Sequence, residues 1–334
     1  MTPAGIIDAA LASFAAEVGA DGPVCVRGGD TRRRTGGEPA PGTRELRAPS
    51  GIVALVPAEM TVRVRAGTTV AELHASLAET GQRTALPERP GGTVGGALMV
   101  GESAITRLGL GPVRDALLQA RYVCADGRVA TGGAGTVKNV SGFDLCRLLV
   151  GSLGTLGLLG EALLRTVPIP ESEAWFRLGG GDPQEVRRRC RTAISILWDG
   201  ASTWVLLSGY SPDVAEDRAT LGDMGDVADA AGPPALPPHR WSRTPAEAVA
   251  FAVGNGGAAN GGAANGGAAN GGAANGATGA GGFVAEVGVG VVHTAAPQPP
   301  RPPEPGVAEL NRRMKEAFDP TGRLNPGRDP LRRT

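Results

Sequence analysis

The chain lacks the residue sets that several simple functional readings require. Among its 334 residues are only three histidines and four cysteines. The cysteines, Cys25, Cys124, Cys146 and Cys190, are scattered with no CxxC pair. The sequence therefore holds no ligand cluster for zinc or an iron–sulfur group, and no metal is expected. Reduced, mostly buried thiols in a cytosolic protein fit this spacing. An excess of either charge is also missing: Lys plus Arg and Asp plus Glu stand at 33 each. No overall field then draws the chain to DNA, RNA or an anionic membrane. The longest apolar run, Leu148 to Leu164, is interrupted by four glycines and Glu161 and is too short and broken to span a bilayer. No N-terminal stretch joins a basic start to an apolar core, so a signal peptide is not expected. Two nucleotide motifs are absent as well: no strand–GxGxxG–helix unit, and no Gly-Lys-Ser/Thr closing a glycine loop.

What is present in excess is glycine, 53 residues, with 27 prolines. Part of that excess is local, in four tandem copies of Gly-Gly-Ala-Ala-Asn at 256–275. Five-residue units of small side chains cannot bury a core, so a disordered surface loop is expected there. Elsewhere the pattern is globular. Residues 4–18 repeat apolar side chains at helical spacing. "TVRVRAG" alternates as a half-buried strand, and Thr69 with Glu72 forms a capping box that opens a helix closed by Gly81. His74 on that helix reads as a polar residue on its flank. "RYVCADGRVATGG" reads as a hairpin around Asp126-Gly127, followed by a short helix at "FDLCRLLV" and a strand ending at Pro168. From 171 to 250, strands and helices suggest a small second α+β domain. Its Arg187–Arg191 run reads as a solvated helix face.

Three separated stretches carry the candidate chemistry. The first is "VCVRGGDTRRRT" (24–35), the second "PGGTVGGALMVGES" (90–103), and the third runs from Gly151 to Gly157. Glycines there let the backbone approach a ligand where any Cβ would block it. Free main-chain amides can face a phosphate. Several loops of small residues suit an extended dinucleotide such as FAD. In this reading the amides through Thr31 hold the pyrophosphate, and Arg32, Arg33 and Arg34 lie on the solvent side of the turn.

With "VRVRAGTTVAELHASLAETGQ", "TVKNVSGFDLCRLLVGSLGTLGLLGEALL" and the closing "AFDPTGRLNPGR", these stretches resemble the vanillyl-alcohol-oxidase (PCMH) type of FAD-binding protein. Within that type they are most similar to the FAD-binding E subunits of glycolate oxidase. The resemblance spans roughly 20–170 and 283–328. It implies two α+β subdomains clasping FAD, with a small, reduced α+β cap. The expected divisions are 1–170 for the FAD domain, 171–250 for the cap, 251–282 for the low-complexity loop, and 283–334 for a strand and tail returning to the flavin domain. Carried over by motif, Arg27, Gly28, Gly29, Asp30 and Thr31 form the pyrophosphate loop. Pro90, Gly91, Gly92, Thr93, Gly95 and Gly96 lie along the pyrophosphate and flavin. Lys138, Asn139, Gly142 and Asp144 order a turn near the flavin. Gly151, Ser152, Gly154, Thr155, Gly157 and Leu158 pass the ribityl and adenine side, and Asn325 packs back on the flavin domain.

Asp30 departs from the family pattern, which has Gly or Asn there. A carboxylate beside a pyrophosphate repels it unless the side chain turns outward to cap the following amides. Neither glycine-rich loop contains a histidine, and Cys25, Cys124 and Cys146 match no linking motif, so the flavin is expected to be dissociable. The resemblance implies an FAD-dependent 2-hydroxy-acid oxidoreductase subunit acting beside a second flavoprotein and an iron–sulfur subunit. Its expected place is cytoplasmic, reaching the inner membrane only through those partners. A stand-alone oxidoreductase of another alcohol, sugar or hydroxy acid, or a non-catalytic scaffold homologue, remain as alternatives. Oxidising a hydroxy acid needs a base and a cationic group for the carboxylate. His293 is the candidate for the first, and Arg107 and Arg114 are candidates for the second.

Overall fold

The computed structural model describes residues 8–134, 144–248, 250, 282–298 and 302–332. The tandem repeats, Lys138, Asn139 and Gly142 lie outside the described residues. The chain divides into two compact units, one of Met1–Ala104, Gly111–Ile169 and Pro300–Arg333, the other of Ile105–Leu110 and Pro170–Pro299.

In the first unit, helix α1 (Ala9–Val18) starts where Asp8 accepts from the Leu11 amide at 3.0 Å and stops at Gly19, φ +59°. Two short strands follow, β1 (Val24–Val26) and β2 (Arg44–Leu46), paired in parallel. The main sheet has the order β3 (Ile52–Val56), β4 (Thr61–Arg65), β8 (Leu158–Arg165), β6 (Leu117–Val123), β7 (Val129–Gly133), with every neighbour antiparallel. Between β4 and β8 come α2 (Val70–Ala78), β5 (Gln82–Arg83), α3 (Val94–Val100) and α5 (Leu145–Leu149), and β5 pairs with β9 (Val167–Pro168). The capping box on α2 is formed as expected, with Thr69 and Glu72 satisfying each other's amides. The hairpin turns at Asp126-Gly127, where Gly127 has φ +82°.

The alternation of β4 resolves differently from a half-buried strand. Val62 and Val64 enter a core with Leu73, Leu77, Leu98 and Leu149 on the helical side. Arg63 and Arg65 face the other way, yet Arg65 is only 6% exposed. The reason is Glu161 on β8, fully buried, which takes Arg63 and Arg65 at 2.9 Å and Arg121 at 3.3 Å. Burying a lone carboxylate is prohibitive, and three guanidinium groups compensate it.

The second unit is a seven-stranded antiparallel sheet, β13 (Asp226–Ala230), β10 (Ser172–Gly179), β12 (Ser202–Gly209), β11 (Ala193–Trp198), β15 (Phe283–Glu286), β16 (Val291–Thr294), β14 (His239–Ser242). Phe176, Leu178, Ile196, Val205 and Leu207 bury against α6 (Pro183–Arg189) and α7 (Ser211–Gly222). The short α4 (Arg107–Leu110) also belongs to this unit, where Gly109 leaves room for Ile194. Arg188, Arg189 and Arg191 are solvated, paired with Glu185, Asp223 and Glu216. The strand expected to return to the flavin domain with the tail is instead β15, hydrogen-bonded to β11 and β16. Strand pairing over some eighty residues left no local trace in the sequence.

Only the tail beyond residue 302 joins the first unit. In α8 (Pro305–Phe318), Met314 and Phe318 pack on the first core. Arg323, 5% exposed, then donates to five carbonyls: Val18, Gly19, Asp21, Gly22 and Ala125, at 2.8–3.0 Å. Replacing Arg323 by Met orphans those carbonyls and should lower the unfolding free energy in urea by about 3 kcal/mol. Replacing Arg312, whose partners Glu309 and Glu316 lie on the exposed surface of α8, should cause no measurable shift. Equal effects from the two variants would contradict this assignment.

Candidate functional site

β1 delivers the chain into the first glycine turn. Val24 is held from both sides, its amide donating to Arg323 O at 2.9 Å and its carbonyl accepting from the Asn325 amide at 2.8 Å. Arg27 N donates to Leu46 O at 2.8 Å, and there the ladder ends. The next four amides, of Gly28, Gly29, Asp30 and Thr31, donate to no acceptor among the described residues. Successive unused amides on one loop are an anion-binding arrangement.

The second glycine stretch closes on the first. A Cβ on Gly29 would lie 1.7 Å from Gly91 O, and one on Gly28 would lie 2.8 Å from Thr93 Oγ1. Gly91 itself has φ +72°. Thr93 caps α3 through the Gly96 amide at 3.1 Å, while Gly95 N donates to Ala66 O at 2.8 Å. The start of α3 is thereby pinned to the end of β4.

These loops border a cleft of about 320 Å³ within the first unit, inside the roughly 300–1,000 Å³ typical of cofactor sites. Of the residues expected in the site, Arg27, Gly28, Gly29, Asp30, Thr31, Gly92, Thr93, Gly95, Gly96, Gly154, Leu158 and Asn325 line it. Asn325 sits at φ +45°, with Nδ2 donating to Leu153 O at 2.7 Å. Its buried Oδ1 has no hydrogen-bond donor among the described residues. The glycine approach, the unused amides and this orphaned oxygen fit a polar, extended ligand bound through the main chain.

The remaining expected positions lie elsewhere. Pro90 and Gly91 support the loop without lining the cleft. Gly151 lies against Gly101, whose own Cβ would come 2.9 Å from the Gly151 Cα, and Gly157 makes room for the Tyr122 ring. Ser152 is buried and accepts from the Gly154 amide, while Thr155 donates to Ser152 O. Asp144 caps α5 and pairs with exposed Arg147. His74 bonds Glu88 and Thr84, each at 2.9 Å. His293 belongs to the second unit, 7% exposed, with Nε2 2.8 Å from Glu286 Oε1. Arg107 is likewise in the second unit, and Arg114 lies 3.8 Å from exposed Asp115.

Charge is the feature that sequence reading misplaced. Arg34 is solvent-exposed, but Arg32 and Arg33 line the cleft, together with Arg27, Arg47, Arg89 and Arg328. Three carboxylates accompany them. Glu102 holds Arg32 at 2.7 Å and Arg89 at 2.5 Å. Asp30, at φ +58°, does not cap the following amides; its carboxylate meets Arg27 at 2.6 Å and Arg33 at 3.7 Å. Glu45 completes the set, with Arg33 at 2.6 Å and Arg27 at 3.3 Å. The hydrogen bond from Arg27 holds the Asp30 carboxyl below the usual range, and Arg33 does the same for Glu45. Arg328 spends its donors on the carbonyls of Arg33 and Thr35. The only sequence signal for this layer was the arginine run itself.

Cys25 also lines the cleft, buried at 3% exposure. Burial pushes its thiol up, with Glu45 adding to the shift and Arg328 and Arg33 opposing it. Cys146 is pushed up to about 11 by burial. A thiol held protonated is a poor nucleophile.

Comparison with known proteins gives concordant findings. Residues 10–133 match the family described as FAD binding domain. The chain is 32% identical over 160 residues to glycolate oxidase subunit GlcE of Escherichia coli (strain K12), covering 46% of this chain and 45% of that protein. It is 34% identical over 150 residues to D-lactate dehydrogenase of Archaeoglobus fulgidus, covering 44% and 33%. Glycolate oxidase subunit GlcD of Bacillus subtilis (strain 168) is 38% identical over 81 residues, 24% of this chain and 17% of that protein. The aligned segments thus span less than half of these relatives. Among solved structures, alkyldihydroxyacetonephosphate synthase superposes with a TM-score of 0.54 at 17% identity, over 66% of this chain and 50% of that one, a likeness of fold. The steric argument at Gly29 is directly checkable. Gly29→Ala should reduce copurifying flavin about tenfold, whereas Gly222→Ala, whose Cβ meets nothing within 4 Å, should leave it unchanged.

Proposed function

We propose that this chain, which carries an FAD binding domain over residues 10–133, is the FAD-holding component of a 2-hydroxy-acid oxidoreductase of the glycolate oxidase kind. The observation that carries this reading is the row of unused amides from Gly28 to Thr31, on a loop that lines a glycine-rich cleft. Those amides would hold the pyrophosphate, in a cleft that Gly92, Thr93, Gly95 and Gly96 also line. Asn325 Oδ1 offers an acceptor to a ligand donor. Bound FAD supplies the two-electron acceptor that turns a hydroxyl into a carbonyl.

His293, the candidate base, lies in the second unit. Its Nε2 stands 2.8 Å from Glu286 Oε1. Arg240 lies 3.3 Å from the same carboxylate oxygen and is the neighbouring cation. The names of two relatives, both glycolate oxidase subunits, support action within a multi-subunit assembly; the partners assigned to it in this proposal are a second flavoprotein subunit and an iron–sulfur subunit. No helix among the described residues is long and apolar enough to cross a membrane, and any membrane attachment is assigned to those partners. The ion-paired Asp30 favours a second reading, a scaffold homologue that holds flavin weakly.

The purified protein should be yellow and release its flavin into solution on acid precipitation. Anaerobic glycolate or D-lactate should bleach it only after candidate partner subunits are added. Bleaching of the chain alone would replace the subunit reading with a stand-alone enzyme. A colourless protein that takes up no added FAD would leave only the scaffold.

A further inference from the structure

Four charged side chains at the cleft form a closed ring. Arg27 reaches Asp30 through Nε at 2.7 Å and Glu45 through Nη1 at 3.3 Å. Arg33 reaches Glu45 through Nη2 at 2.6 Å and stands 3.7 Å from Asp30. Two cations and two carboxylates cancel. The ring borders the unused amides of Gly28 to Thr31, and all four members line the cleft. Their side chains are 33–42% exposed, so the pairs are screened and exchangeable rather than locked. Asp30 also holds a left-handed backbone conformation at φ +58°, which glycine would adopt without strain. Its presence there is a local cost that buys a carboxylate at this one point.

A pyrophosphate on those amides brings two negative charges beside Asp30 and Glu45. Like charges at that separation repel unless the arginines turn from one anion to the other. We infer that Asp30 and Glu45 are an internal anion that competes with the pyrophosphate of FAD for Arg27 and Arg33. The inference rests on the FAD reading above and refines it: the cofactor binds by anion exchange, and the carboxylates set how loosely it is held. Because pairs broken on binding equal pairs made, the affinity of the native chain depends little on salt. With one carboxylate gone, the arginines gain a partner without losing one, and binding becomes both tighter and salt-sensitive.

The test is FAD titration of the full apoprotein, followed by flavin fluorescence, over a series of NaCl concentrations. Asp30→Asn keeps a residue that tolerates the left-handed conformation while removing the charge. It should bind FAD about tenfold tighter than the native chain at low salt, with a steeper loss of affinity as salt rises. Asp126→Asn, which removes an exposed carboxylate outside the cleft, should match the native chain in both respects. A purely structural role for Asp30 would move stability without changing the salt slope. Should Asp30→Asn fail to fold, as judged by circular dichroism, Glu45→Gln carries the same expectation. Native binding with unchanged affinity and slope in the variants overturns this inference alone. Failure of native chain and variants alike to bind FAD overturns it together with the cofactor reading.

Discussion

The first unit depends on one buried guanidinium. Arg323 gathers carbonyls from the end of α1, from the turn that follows and from the β6–β7 hairpin, groups some two to three hundred residues away in sequence. Each of those carbonyls lies where no regular ladder can use it, and a buried unpaired carbonyl is costly. Asp319 directs the residue into place by accepting from the Arg323 and Leu324 amides at 3.1 and 2.7 Å. Leu324 then bridges Val24 in parallel, and Asn325 N closes on Val24 O. The strand that feeds the glycine loop is thus fixed by the far end of the chain. The position of the loop amides is a consequence of that tie.

Backbone and side chains divide the work in the cleft. The backbone supplies shape, since Gly29 and Gly91 meet at a distance no Cβ tolerates, and it leaves four donors unspent. The side chains supply charge, and six arginines cannot converge without compensation. Glu102 takes Arg32 and Arg89, Asp30 and Glu45 share Arg27 and Arg33, and Arg328 turns to backbone carbonyls. An anion arriving in such a cleft meets main-chain donors that are free and four arginines already engaged by carboxylates.

What the sequence made legible was local. The capping box at Thr69 and Glu72, the Asp126-Gly127 hairpin, the α1 stop at Gly19 and the glycine stretches at 28–31 and 92–96 are all written in contiguous residues, because turn chemistry and close backbone approach are decided by a few neighbours. What it hid was long-range. Arg32 meets Glu102 seventy residues on, which no spacing rule anticipates, and the arginine run reads as a solvated turn until that pairing is known. Gly101 and Gly157 carry the same glycine signal as Gly28, yet they serve packing against Gly151 and Tyr122. A glycine announces that something comes close; it does not say whether that is a ligand or a ring. The placement of β15 in the second sheet was hidden for the same reason, since an alternating strand does not name its partner.

Both sheets contain a carboxylate that is essentially fully buried, and the comparison between them separates structure from chemistry. Glu161 sits among Arg63, Arg65 and Arg121, all groups that keep their charge at any physiological pH. Such a cluster can stabilise strands and nothing more, because no member can give up a proton. Glu286 on β15 holds Arg240 and His293 on the same oxygen, Oε1, at 3.3 and 2.8 Å. Strand register places Arg240 directly opposite His293 and Val284 on its other flank, so the imidazole is oriented by a carboxylate, a cation and an apolar wall together. Of the two buried carboxylates, only the second has an imidazole on its oxygen.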